Sequence, residues 1–229
     1  MDARIEQVVT SGKVSLDDDD YEVETNTYIV GDDEEVIVID PANDAEAIFK
    51  VVDGREVMAV ICTNGRDNIV STVLEVAADE DRGDAPVYLH QKDRLLWRRY
   101  FRRLAKETED DDLKEIAPDG DLEDGGIFEI AGVQLEVMHT PGFTPGSVTL
   151  FSEQLGVLFT GHTLHRGKPG EIGGHYPDLQ AQLNSIGSLV GPLDGDIKVL
   201  PGSGQETTVG EEEARWESWY TLDRDDQED

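Results

Sequence analysis

Cysteine is almost absent from this 229-residue sequence, which contains only Cys62. A single cysteine excludes a framework of intrachain disulfides. Long apolar runs are absent too: no stretch of 18 apolar residues occurs, so no membrane-spanning helix is predicted. The first nine residues, MDARIEQVV, lack the apolar segment of a secretory signal. We therefore expect a protein of the cytoplasm with no membrane partner.

Basic residues are scarce as well, with 19 Lys and Arg against 51 Asp and Glu and a formal net charge of -32. Such a surface repels nucleic acid and anionic membranes, so neither is an expected partner. Acidic clusters recur at 17–20, 32–35 and 109–112, and none has the glycine-centred alternation of a calcium loop. Dispersed acidity with only seven lysines is typical of proteins that stay dissolved in concentrated salt, which predicts a halophilic organism.

Apolar alternation and short β-branched runs predict a series of strands. They are expected at 21–30, 35–40, 57–62, 86–90, 126–132, 133–139, 147–151, 156–160 and 197–201. Helical periodicity predicts helices at 44–52, 70–79, 94–107, 179–190 and 209–220. No linker divides the chain, so we expect one domain over 1–229, in which sheets are covered by helices. Disorder is expected only at the termini, including an acidic tail at 221–229.

The predicted helix at 94–107, RLLWRRYFRRLAKE, is the one strongly basic segment. Trp97, Tyr100, Phe101 and Leu104 have the spacing of a single buried face. Arginines occupy its other faces at 94, 98, 99, 102 and 103. One interpretation is that this stripe binds another molecule: an acidic partner, a second acidic subunit or a nucleotide-containing ligand. The other is that the arginines pair with acidic residues of the same chain. The last interpretation is favoured because charge runs are usually solvated faces.

Four further stretches, in order, carry a family resemblance. They are NTYIVGDDEEVIVIDP, ICTNGRDN, HTPGFTPGSVTLFSEQLGVLFTGHTL and LPGSGQETTVGEEE. Together they resemble the metallo-β-lactamase superfamily in its glyoxalase II-like branch of thioester hydrolases, over about residues 22–220. The resemblance implies an α+β fold, an αββα sandwich of two facing sheets with helices outside. It also implies a site on loops at one sheet edge, where one or two zinc ions activate a water molecule.

The sequence departs from the family's zinc ligands at nearly every position. The family's ligands are a His-x-His-x-Asp-His motif, a His within TPGHTPG, an Asp within TGD and a His in a Gly-His-Gly turn. The residues at these positions here are Asn64, Arg66, Asp67, Asn68, Phe143, His162 and Ser203. Amide and hydroxyl oxygens are poor zinc ligands and a guanidinium cannot coordinate at all. We therefore expect no zinc cofactor, or at most one weakly held zinc at Asp67 and His162.

The replacements suggest another use for the cleft. Arg66 is interpreted as a substitute for the metal's positive charge, paired with Asp67 and hydrogen-bonded by Asn64 and Asn68. A guanidinium suits a carboxylate or phosphate, so the expected ligand is a small anion. The alternative, which the frequency of solvated loop arginines favours, is that Arg66 only fills space and reaches solvent. Further ligand-binding candidates are Phe143 and, in the loop resembling the substrate mouth, Lys168, His175 and Tyr176.

Three classes of function remain open from the sequence. The first is a non-catalytic, ligand-binding descendant of the hydrolases, with a homodimer through sheet edges or the arginine helix as a variant. The second is a hydrolase of thioesters or related esters, which uses either one weakly held metal or a metal-free set of Ser203, His162 and Asp67. The third is a regulatory partner of an intact, zinc-binding paralogue.

Overall fold

Two six-stranded sheets form the centre of the molecule. The structure, a computed structural model, describes residues 3–16, 19–78, 83–170 and 178–225. The first sheet has the order β1-β2-β3-β4-β5-β6. Its strands are β1 Arg4–Leu16, β2 Asp19–Gly31, β3 Glu35–Ile39, β4 Glu56–Cys62, β5 Val87–Leu89 and β6 Gly120–Asp121. The first three strands run antiparallel, whereas β3 to β6 pair in parallel.

The second sheet comes mainly from the C-terminal half of the chain. The strands of this half are β7 Ile127–Ile130, β8 Val133–His139, β9 Val148–Ser152, β10 Val157–Gly161, β11 Leu164–His165, β12 Lys168–Pro169, β13 Lys198–Pro201 and β14 Thr207–Thr208. The sheet has the order β14-β13-β10-β9-β8-β7, while β11 and β12 form a separate small hairpin. The only parallel pair among the described strands of this sheet is β10 with β13.

Helices cover the outer face of each sheet. They are α1 Ala45–Val52, α2 Asp67–Val70, α3 Val73–Ala77, α4 Arg94–Thr108, α5 Leu179–Val190 and α6 Val209–Asp225. Short 3-10 helices occupy Gln91–Asp93 and Asp111–Glu115. In the described part of the chain, no helix is both long and apolar enough to cross a membrane.

Three apolar clusters hold the layers together. Between the sheets, Ile39 and Ile61 of the first pack in one cluster with Leu150 and Phe159 of the second. A second cluster joins the outer face of the first sheet to α1, α3 and α4, and a third joins the second sheet to α5 and α6. Successive strand residues point to opposite faces, so the β-branched runs of β3 and β4 fill the two cores on either side of their sheet. The result is the expected αββα sandwich.

Most predicted elements are confirmed, and three predictions are wrong. The N-terminus is not disordered where it is described, because β1 pairs with β2 along its whole length from Arg4 opposite Gly31. The predicted helix at 70–79 is divided by a turn at Ser71, whose hydroxyl donates to the Asn68 carbonyl and accepts the Asn43 amide N–H. Residue 79 lies outside the described residues. The predicted tail at 221–229 is helical as far as Asp225.

The aromatic face of the basic helix is confirmed. Trp97, Tyr100 and Phe101 of α4 are buried against the first sheet. Two of its arginines pair with acids of the same chain: Arg94 lies 2.9 Å from Asp121, and Arg103 lies 2.6 Å from Asp67. For these two residues, pairing within the chain is the correct interpretation.

Candidate functional site

The residues at the family's ligand positions are carried by loops, and by the start of α2, at one edge of the paired sheets. The loop 63–66 follows β4, and the loop 140–147 joins β8 to β9. The segments after β10 and after β13 complete the group and contact each other, since the Gly202 N–H donates to the Gly161 carbonyl at 2.7 Å. The β2 strand also joins them: the Asn26 side-chain amide donates to the Pro201 carbonyl at 2.8 Å.

Asp40 anchors the start of the first loop. Its carboxylate is buried and accepts both the Thr63 backbone N–H and the Thr63 hydroxyl, each at 2.7 Å. The backbone of Asp40 is left-handed, with φ of 54°, which Asp and Asn tolerate better than most residues. Burial raises the pKa of Asp40 to about 7, although the two hydrogen bonds from Thr63 act in the opposite direction.

Asp93 joins the two loops from the opposite side. Its carboxylate accepts the Gly65 N–H at 2.9 Å, the Thr144 hydroxyl at 2.6 Å and the Gly146 N–H at 2.7 Å. The approach to Gly146 requires glycine, because an added Cβ would lie 2.6 Å from the Asp93 Cγ. Burial raises the pKa of Asp93, and these three donors oppose that shift. Asp93 is therefore a cross-link between the loops that needs no metal ion.

Sequence reasoning missed this role of Asp93. The residue stands directly before α4, at a position that normally suggests a helix N-cap. Its side chain makes no capping bond and turns instead toward Gly65 and Gly146, which are 28 and 53 positions away in the chain. The only local signal was an acidic residue ahead of a basic helix, and it pointed to capping.

Arg66 lies against an aromatic ring inside the cleft. Its guanidinium carbon is 4.8 Å from the centroid of the Phe143 ring, and Phe143 itself is buried. Burial lowers the pKa of Arg66, and the nearby Asp67 carboxylate partly opposes this. Over the described residues, the Arg66 guanidinium has no ion pair and no hydrogen bond. The cleft thus contains a half-buried positive charge that forms no ion pair with the part of the chain that the structure describes, although the Asp67 carboxylate is near enough to act on it.

The expected Arg66–Asp67 pair is wrong. Asp67 binds Arg103 of α4 instead, with a 2.6 Å ion pair that reaches from the start of α2 to the neighbouring helix. The two asparagines are also occupied elsewhere. Asn64 accepts the backbone N–H of Arg66 rather than its guanidinium, and Asn68 donates to the Thr25 hydroxyl at 3.1 Å.

His162 extends the stack that begins at Arg66. Its ring lies 4.8 Å from the Phe143 ring at an interplanar angle of 23°, and His165 follows at 5.3 Å. Desolvation lowers the pKa of His162 well below its usual value, and His165 and Arg66 lower it further by charge repulsion. Burial therefore favours the neutral imidazole. Its Nδ1 atom is buried and has no hydrogen-bond partner among the described residues.

The set of Ser203, His162 and Asp67 is not connected by hydrogen bonds. Ser203 is half-buried in the turn after β13, and Asp67 is engaged by Arg103. Lys168 lies exposed on β12, while His175 and Tyr176 lie outside the described residues. Over residues 3–16, 19–78, 83–170 and 178–225, no three or more His, Cys, Asp or Glu side chains are gathered so that they could hold a metal ion.

Comparison with known proteins places this fold and loop arrangement in a family. The sequence model of the metallo-beta-lactamase superfamily matches residues 20–204. The chain belongs to this superfamily. A superfamily member with a solved structure, BLEG-1 B3 metallo-beta-lactamase, is 28% identical with a TM-score of 0.70, covering 89% of this chain and 96% of that one. A further solved structure, TTHA1623 in a di-iron-bound form, is 26% identical with a TM-score of 0.70, covering 90% of this chain and 98% of that one.

Proteins of similar sequence span nearly the same length. The chain is 27% identical to "Hydroxyacylglutathione hydrolase GloC" of Haemophilus influenzae, over 82% of this chain and 89% of the relative. It is 26% identical to "Probable metallo-hydrolase YqgX" of Bacillus subtilis, over 82% and 88%. An uncharacterized protein of Aquifex aeolicus is 28% identical over 84% and 90%. These matches show a hydrolase-like protein of the metallo-beta-lactamase fold.

Proposed function

We propose that this superfamily member binds a small anion in the cleft at Arg66 and has no zinc-dependent hydrolase activity. The observation that carries the proposal is the half-buried Arg66 guanidinium, which rests on Phe143 and forms no ion pair or hydrogen bond with the described residues. A desolvated charge without a partner is costly to a folded protein. An anion that binds there supplies the missing partner, and the planar guanidinium offers it paired N–H donors.

The side chains at the ligand positions do not fit a dinuclear zinc centre. Catalytic zinc sites commonly have three strong protein ligands from imidazole, thiolate or carboxylate. Here His162 is the one imidazole, and the Asp67 carboxylate is held by Arg103. The Asn68 amide is bonded to Thr25, and the Phe143 ring occupies space beside His162. A fixed guanidinium in the same cleft opposes any cation.

A hydrolase remains the second candidate because of the relatives' names. One of them is named a hydroxyacylglutathione hydrolase and another a probable metallo-hydrolase, which suggests a thioester or related ester as substrate. The unbonded Nδ1 of the neutral His162 would be the group able to accept a proton. This function requires a nucleophile beside that atom, or a metal held at Asp67 and His162.

Zinc content separates the two functions. The 229-residue chain would be loaded with zinc, dialysed and analysed by elemental mass spectrometry, and a thioester assay would be run on the same sample. We expect much less than one zinc ion per chain and no turnover above that of the buffer. About one tightly held zinc ion per chain, or zinc-stimulated thioester hydrolysis, would overturn the proposed function.

A charge-removing variant tests the anion site directly. In Arg66→Gln, a small anion should no longer raise the melting temperature, whereas it should do so for the wild type. Arg102→Gln on the exposed surface of α4 is the matched control, because it changes the net charge equally and lies outside the loops of the cleft. Equal anion-dependent stabilisation of all three proteins would contradict a role for Arg66.

A further inference from the structure

We infer that β1 joins two copies of this chain into a symmetric dimer. The β1 strands of the two copies pair antiparallel across a two-fold axis, so that the first sheets of both molecules become one continuous sheet. This inference does not depend on what the cleft binds. It follows from three features of β1: its open hydrogen-bonding edge, its lack of protection against pairing, and its local charge.

Strand β1 leaves one edge of the first sheet open. All of its residues, Arg4–Leu16, pair with β2, and no other described strand pairs with it. In an antiparallel ladder, every second residue directs its N–H and C=O away from the partner strand. About six residues of β1 therefore present backbone donors and acceptors along one line, and an extended strand is the structure that matches this pattern.

The other edges of the two six-stranded sheets are much shorter. Strands β6 and β14 have two residues each, and β7 has four. Short length, proline, bulges and central lysines are the usual features that prevent edge strands from pairing. Strand β1 is 13 residues long, has no proline and no shift in its register with β2, and carries its one lysine near its end, at Lys13. An unprotected edge of this length predicts that another strand covers it in solution.

The charge of β1 identifies a second copy of the chain as the occupant. The formal charge of -32 makes most surfaces of two copies repel each other. Within β1, however, Glu6 is the one acidic residue, against the basic Arg4 and Lys13. Glu6 is also matched by ion pairs, with Arg55 at 2.6 Å and with Arg4 at 3.6 Å. Two β1 strands can therefore meet without the acid–acid repulsion expected elsewhere, and each supplies the other with a strand of equal length.

Val9 sets the register of the pairing. Val8 packs in the cluster beneath the helices, and Thr10 on the same face is buried as well. Val9 points to the opposite face and is 56% exposed, although it is apolar. A two-fold axis perpendicular to the sheet places residues of the same face opposite each other. When Val9 lies opposite Val9 of the partner subunit, both side chains leave water and the ladder continues across the axis.

The test is sedimentation equilibrium of the 229-residue chain over a range of protein concentrations in potassium chloride. Val9→Lys and Val9→Glu would be measured separately and as an equimolar mixture, because the symmetric register brings position 9 of each copy face to face. Ile127→Lys is the matched control. Ile127 is also 56% exposed, and it lies on β7 at the edge of the other sheet. Circular dichroism would establish that each variant is folded.

We expect the wild type to have about twice the mass of one chain. Val9→Lys and Val9→Glu should each raise the dissociation constant by at least about tenfold, since like charges directly opposite in a ladder are destabilising. The mixture should dimerise again, because opposite charges then meet across the axis. Ile127→Lys should dimerise like the wild type.

Hydrogen exchange of the wild type gives a second, variant-free measurement. Alternate amides of β1 should exchange slowly at protein concentrations that favour the dimer and faster after dilution. A monomeric wild type, a dimer that Val9→Lys leaves unchanged, or a dimer in which these amides exchange fast would overturn the inference. Failure of the mixed Val9 variants to dimerise would refute the symmetric register.

Discussion

The Asp40→Asn variant should gain unfolding free energy relative to the wild type as the pH rises. The wild-type carboxylate is buried and accepts the Thr63 N–H and hydroxyl at 2.7 Å each. Asparagine preserves both contacts, because its carbonyl accepts the N–H and its amide donates to the hydroxyl. It also tolerates the left-handed backbone at φ of 54°. The substitution therefore removes the ionisation and keeps the geometry.

The magnitude follows from the raised pKa. Folding moves the pKa of Asp40 from an ordinary value of about 3.9 to about 7. The folded state thus binds this proton more tightly than the unfolded state does. The stabilisation that the proton contributes is fully present below about pH 4 and is lost as the pH rises to about 7. The loss amounts to about 4 kcal/mol in total, of which about 3 kcal/mol falls between pH 5 and pH 8.

Urea unfolding followed by tryptophan fluorescence would measure this difference at fixed potassium chloride concentration. The other acidic groups titrate in both proteins, so the difference in unfolding free energy between Asp40→Asn and wild type isolates Asp40. It should increase by about 3 kcal/mol from pH 5 to pH 8. Asp53→Asn is the matched control, because Asp53 is exposed and also left-handed, with φ of 51°. Parallel pH profiles for Asp40→Asn and wild type would refute the reasoning.

Three further predictions concern the loops around the cleft. Arg103→Gln should change the unfolding free energy by less than about 1 kcal/mol, because the Arg103–Asp67 pair is partly exposed. It should also weaken the binding of a small anion at Arg66, because it frees Asp67 to neutralise Arg66; an unchanged affinity for the anion would contradict this. Asp93→Ala should lower the unfolding free energy by at least about 3 kcal/mol in urea titrations, because three hydrogen-bond donors lose their acceptor. A loss below about 1 kcal/mol would refute the role of Asp93 as a cross-link. Restoring the family ligands together should produce zinc uptake measurable by elemental mass spectrometry, and a folded variant without zinc would show that the family geometry does not carry over. That variant combines Asn64→His, Arg66→His, Asn68→His, Phe143→His, His162→Asp and Ser203→His.

The strands were predictable from sequence where they are buried on both faces. The run at 35–40 contains four consecutive β-branched residues and the run at 57–62 is apolar throughout, and β3 and β4 occupy almost the same residues. Strand β1 escaped prediction because it is an edge strand with one exposed face. Val8 is buried and Val9 is 56% exposed, while polar residues interrupt the alternation further along.

The side-chain partners in the site were not predictable because they come from distant parts of the chain. The family resemblance correctly indicated which loops would meet, and it located Arg66, Phe143 and His162 in them. It did not indicate that Arg103, 36 positions after Asp67, would bind that carboxylate. The Arg66–Phe143 contact was likewise missed, since local spacing gives no information about which ring a guanidinium will cover.

The cross-link at Asp93 has a consequence for how this fold can change over evolutionary time. Because Asp93 joins Gly65 to Thr144 and Gly146 through hydrogen bonds, this link between the two loops uses no side chain at the family's ligand positions. Mutations at those positions are then separable from mutations that break the link. A lineage can exchange the chemistry of its cleft one residue at a time while the link persists.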